Sequence, residues 1–149
     1  WDNRFTPLAK PLGTNLIKLP PGPAVAVYQD GKPWPKDGLQ FSGYRLAKDG
    51  TPTFLYSHGK TKITDTLTPK GEGLRRRMEF NGGEGVLWVR LAVGENFRTK
   101  EVGVWIGDNQ LTLIAPTAFT RRIGKQTELI APVKLKANGK TILEVELQW

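Results

Sequence analysis

An all-β fold, a mostly antiparallel sandwich of about ten short strands, follows from three features of this 149-residue sequence. No stretch places apolar residues at i, i+3, i+4 and i+7 over three turns, so amphipathic helices are lacking. Short runs of period-two alternation recur instead, each bounded by Gly, Pro, Asn or Asp. Turn signals also come at close intervals, as stacked sheets require. A closed barrel is the alternative arrangement of the same strands.

In chain order the candidate strands are Leu16–Leu19, Ala24–Tyr28, Leu39–Leu46, Thr53–His58, Thr61–Leu67, Leu74–Phe80 and Val86–Ala92. Val102–Ile106, Gln110–Ile114, Glu128–Leu135 and Thr141–Trp149 complete the set. Pro20, Pro21, Pro23, Pro33 and Pro35 crowd the beginning of the chain, which reads as an extended wrap over about residues 1–38. "AKDGT" and "KANGK" set Asp49-Gly50 and Asn138-Gly139 where a tight hairpin needs positive φ. "IGDNQ" reads as a further turn.

Alternation assigns faces. In "TILEVELQW", Leu143, Val145, Leu147 and Trp149 share one side, and Glu144, Glu146 and Gln148 the other. In "GVLWVRLA", Leu87, Val89 and Leu91 oppose Val86, Trp88, Arg90 and Ala92. In "LRRRMEF", Leu74, Arg76, Met78 and Phe80 alternate with Arg75, Arg77 and Glu79. Each pattern fits an antiparallel strand with one face in a core.

The length suits one domain with a core of its own, residues 1–149. No run approaches the ~20 apolar residues of a membrane helix. The beginning, "WDNRFTPLAK", lacks the order of a signal peptide, and Trp1 and Trp149 as end residues suggest a domain cut from something longer. With no cysteine, disulfides, thiolate catalysis, zinc-thiolate sites and covalent haem are excluded. The net charge of +8 favours an anionic partner, solubility being the plain alternative.

Catalytic patterns are wanting. One histidine cannot build a His-rich metal site, and Trp1 rules out copper chemistry at an amino-terminal histidine. Asp30 and Asp37, or Asp108 and Asn109, are oxygen donors for calcium, but both pairs read first as turns. His58 and Met78 are a haem ligand pair in principle; a strand end and a core position account for them equally well. Glu144 and Glu146 share a strand face about 7 Å apart, as glycosidase carboxylates and solvent-facing acids both do. No nucleophile elbow, P-loop or dinucleotide fingerprint is present. The sequence assigns no catalytic residue, no metal and no cofactor.

Binding is the remaining reading. Sugar rings stack on aromatic faces, and guanidinium groups fork onto carboxylate or sulfate. Trp34, Tyr44 and Trp88 with Arg90, Arg75 and Arg77 are the candidate ligand contacts, while Arg121-Arg122 adds charge. Trp88 and Arg90, two apart, necessarily share a side; the competing role for them is packing beneath a second layer. The same groups serve nucleic acid, a less favoured partner for this chain.

The ordered stretches "LGTNLIKLPPGPAVAVYQDGKPWP", "FSGYRLAKDGTPTFLYSHG", "GLRRRMEF", "LWVRLAVGE" and "LIAPVKLKANGKTILEVELQW" cover nearly the whole chain. Together they resemble a non-catalytic, C-terminal-type β domain of large exported planctomycete and verrucomicrobial proteins. Those proteins combine a sorbosone-dehydrogenase-like propeller with a c-type cytochrome. The resemblance implies a periplasmic or extracellular accessory module of a redox or polysaccharide-processing protein, and it carries no catalytic residue over. The chain itself has neither propeller nor CxxCH. The resulting expectation is a binding module for an acidic or sulfated glycan. Docking on an acidic protein surface, such as a cytochrome-containing partner, is the alternative, and a glycan-active Asp/Glu enzyme comes third.

Overall fold

The computed structural model describes residues 22–149. The expected strand Leu16–Leu19 and the prolines Pro20 and Pro21 lie outside them. The described chain is all-β: β1 (Val25–Ala26), β2 (Leu39–Leu46), β3 (Pro52–His58), β4 (Thr61–Lys70), β5 (Gly73–Asn81) and β6 (Val86–Gly94) come first. β7 (Arg98–Glu101), β8 (Val104–Ile106), β9 (Thr112–Ile114), β10 (Phe119–Ile123), β11 (Gln126–Lys134) and β12 (Lys140–Gln148) follow, with one 3-10 turn at Asp108–Gln110.

They form two antiparallel sheets and no closed barrel. The smaller runs β1-β6-β11-β10 and the larger β2-β3-β4-β5-β12-β9-β8-β7. Their facing surfaces make the sandwich core. The large sheet contributes Ile63, Met78, Phe80, Leu113, Leu143 and Val145, and the small one Val25, Leu87, Val89, Leu129, Ala131 and Val133. Phe80, Leu113 and Leu129 have no solvent-exposed surface, and each such burial contributes about 1.5–3 kcal/mol.

Three hairpins close through two-residue turns that begin on glycine: Gly59 (φ +55°), Gly71 (φ +57°) and Gly124 (φ +61°). Glycine first with positive φ, and no positive φ at the second residue, is the type II′ geometry that matches strand twist. The two expected turns differ from this. Asp49-Gly50 lies in a five-residue connection between Leu46 and Pro52, where Asp49 Oδ1 accepts from Thr51 N at 2.9 Å and Gly50 takes φ +84°. Asn138-Gly139 needs no positive φ at all, because its connection, residues 135–139, is also long enough to turn without one.

Other expectations are corrected in detail. Val102 is 98% exposed in the β7–β8 turn, so that strand starts at Val104. Gln110 belongs to the 3-10 turn, and Leu135 follows β11. Ala92 joins the inter-sheet core rather than the face of Trp88, because a bulge at Leu91 shifts the phase against β11. β7 and β10 went unmarked by alternation.

Because the large sheet has twice the strands of the small one, its β2 margin overhangs. Phe41, Tyr44 and Leu46 pair across to Tyr56, Phe54 and Pro52 on the inner face of the sheet, yet are 60%, 63% and 62% exposed. A register shift between Phe41 and Gly43 puts Phe41 and Tyr44, three residues apart, on one side.

Candidate functional site

The structure brings Trp34, Trp88 and Arg90 together and keeps Tyr44, Arg75 and Arg77 elsewhere. Trp88 and Arg90 stand on the outer face of β6. There the segment after β1 folds back, bringing Tyr28 and Trp34 onto Ala26, Ile130 and Trp88 as a second small core. Tyr28 stacks on Trp34 at 5.9 Å and meets Trp88 edge-on at 4.6 Å, while Phe119 of β10 meets Trp88 at 5.4 Å. Trp34 is buried, and its Nε1 donates to Pro23 O at 2.8 Å, which pins the fold-back.

Charge is built into this layer. Glu128 of β11 accepts from Arg90 Nη1 at 3.0 Å and from Arg121 Nε at 2.6 Å, with all three side chains buried. Arg90 lies 5.0 Å over the Trp34 ring and Arg121 4.7 Å over Tyr28. Arg121 Nη1 also donates to Lys32 O at 2.8 Å. Thus the stacking and charge expected of Trp88, Arg90 and Trp34 are spent inside the protein, holding residues 27–37 on the small sheet. Arg121, expected as surface charge, is part of the same buried cluster.

Arg75 and Arg77 project from the outer face of β5 into a ladder of acids. Arg75 Nη2 reaches Glu146 at 3.3 Å, and Arg77 meets Glu79 at 3.0 Å and Glu144 at 3.4 Å. Lys70 also pairs with Glu146, and its hydrogen bond, ahead of Arg75, holds that carboxyl below its ordinary range. Glu144 and Glu146 are therefore cross-strand partners of basic side chains on an open sheet face. Arg76 points inward, where its Nε and Nη2 clasp Asp65 at 2.7–3.1 Å.

Tyr44 is the one candidate aromatic that stands open. With Phe41 it forms an aromatic rail on β2, and Phe41 leans on Tyr56 at 5.5 Å. At the end of the sandwich where β2 begins, Lys60, Lys62, Lys134 and Lys136 are exposed and form no ion pair among the described residues. His58 opens onto the recess there together with Lys60, Glu84 and Leu135, and packs against Gly38, where a Cβ would lie 2.9 Å from its Nε2. Sequence reasoning missed Phe41 and these lysines, the rail because the bulge hides its phase.

Among the described residues no three His, Cys, Asp or Glu side chains group to hold a metal ion. Asp30 Oδ1 accepts from Gly31 N, and Asp108 caps the backbone of Glu95 and Asn96. His58 and Met78 cannot share an iron: the register sets them two strands apart and ~13 Å along the sheet, with Met78 in the core. No described helix is long and apolar enough to cross a membrane. Comparison with known families, curated proteins and solved structures finds no match for the chain.

Proposed function

We propose that this chain is a non-catalytic binding module that recognises an acidic or sulfated glycan. The observation that carries the reading is the Phe41–Tyr44 rail, open on an edge strand and running toward unpaired lysines. Aromatic faces offer C–H stacking to sugar rings, and the lysines offer charge to carboxylate or sulfate. From Tyr44 back to Leu39 the strand spans ~17 Å, enough for several sugar rings to touch both features. The resemblance to exported redox-associated domains supports a periplasmic or extracellular setting, attached to a propeller or c-type cytochrome protein.

A glycan array with the wild type, Tyr44→Ala and a Lys60→Ala/Lys136→Ala double variant tests this. Binding to uronate or sulfated polymers is expected, at least tenfold weaker in Tyr44→Ala and less salt-sensitive in the lysine variant. Silence toward every polysaccharide, with a protein captured instead through β2, would replace this reading by docking on an acidic partner.

A further inference from the structure

Between the sheets, inside the rail, lies a cleft of ≈ 360 Å³. Phe54, Tyr56, Leu67, Leu74 and Leu147 wall it, with the Asp65–Arg76 pair set into one side. Ligand cavities are typically apolar with a few convergent polar groups, and this one lies at the small end of their size range.

Two donors in the wall are unused. Asp65 takes the Nε and Nη2 side of the Arg76 guanidinium, so Nη1 has no hydrogen-bond partner among the described residues. Tyr56 Oη has none among them either. Neither atom is among the buried unpartnered ones, so both reach the solvent of the cleft and are open to an acceptor that replaces water there. Asp65 already balances the charge of Arg76, so the pair as a unit is neutral. A neutral hydrogen-bond acceptor therefore satisfies the donors, whereas an anion would lie beside the Asp65 carboxylate, the cleft's other guanidinium, Arg90, being engaged by Glu128.

The geometry points to a binding site for a small, neutral, apolar molecule bearing one carbonyl-type acceptor. Its apolar body lies against Phe54, Leu67, Leu74 and Leu147, and its oxygen accepts from Tyr56 Oη and Arg76 Nη1. The cleft adjoins the glycan rail, Phe41 touching Tyr56, but neither Phe41 nor Tyr44 lines it, so different variants test the two readings.

Titrating the 15N-labelled full chain with 2-octanone, octanoate and octane tests the assignment. Saturable amide shifts at Tyr56, Leu74, Arg76 and Leu147 are expected with 2-octanone, and at least tenfold weaker binding with octanoate. Tyr56→Phe, which keeps the ring and the fold, is expected to weaken 2-octanone about threefold to tenfold and leave octane unchanged. Leu74→Trp, filling the cleft, is expected to abolish saturation; an unchanged amide spectrum elsewhere verifies its fold. Shifts confined to Phe41 and Tyr44, octanoate binding as tightly as the ketone, or Tyr56→Phe binding like wild type would each overturn it.

Discussion

Glu128 is the residue on which the outer layer of the small sheet depends. It serves two buried arginines at once, one on each neighbouring strand. Glu128→Ala leaves both guanidiniums buried without their shared acid, and such losses cost about 3–5 kcal/mol. Urea denaturation of Glu128→Ala should show a loss in that range, and Glu144→Ala, whose partner is exposed, less than about 1 kcal/mol. Tyr56 gives a pH signature. Burial first, and the Asp65 carboxylate second, raise its phenol above the ordinary value of 10.0, with Arg76 opposing. A raised folded-state pKa contributes stability that is present in full below pH 10 and is lost as pH rises through the folded value. Stability should therefore fall above pH 10 more steeply in the wild type than in Tyr56→Phe, read as denaturant midpoints between pH 9 and 11.5. The inward course of Arg76 was legible, since it keeps phase with Leu74, Met78 and Phe80. Its partner was not: Asp65 keeps phase with Ile63, but only the β4–β5 register places the two carboxylate oxygens on the guanidinium.

At the level of elements, sequence alternation located the inner strands and the apolar edge strand β2, and passed over two edge strands rich in charge. β2 was read with its observed ends, and β3 to β6, β8, β9, β11 and β12 within a few residues. β7 ("RTKE") and β10 ("FTRRI") escape it because each is a short edge strand rich in charge, unlike the longer, apolar edge strand β2. Charge on an edge strand discourages further pairing, and it erases the apolar alternation that marks inner strands. β10 hides a second signal, for Arg121 faces Glu128 only once the Gly124-Lys125 turn sets the hairpin register. The Phe41–Tyr44 rail was illegible for a related reason: strict period two sends those rings to opposite faces, and the bulge reunites them. The II′ turns supply the test at this scale. Gly71→Ala forces a Cβ into positive φ and should cost about 1–2 kcal/mol by thermal or urea unfolding. Glu72→Ala, at the second turn position where φ is not positive, should cost less than about 0.5 kcal/mol. Equal losses in both would mean that β4 and β5 are not joined by this turn geometry.

Across the whole molecule, the small sheet is sandwiched between two apolar layers of different origin. Its inner face shares one core with β4, β5, β9 and β12, and its outer face carries the Tyr28, Trp34 and Trp88 cluster. Neither layer is independent of the other. Leu129 and Ile130 are adjacent in β11, both fully buried, one in each core. Removing the outer layer exposes the face of the same backbone whose opposite face closes the sandwich. The cation–π and ion-pair contacts of Arg90 and Arg121 bind the fold-back segment to β6, β10 and β11 together, so that segment cannot lift without breaking contacts to three strands. Unfolding should accordingly be a single cooperative event. Tryptophan fluorescence, to which Trp34 and Trp88 contribute from the outer layer, and far-UV circular dichroism, which reports both sheets, should give superimposable urea transitions. In Glu128→Ala both curves should move to lower urea by the same amount, because the lost acid weakens the layer on which the whole sandwich relies. A fluorescence transition that runs ahead of the dichroism would show the outer layer to be a separate folding unit, and the smaller shift would then belong to the sheets.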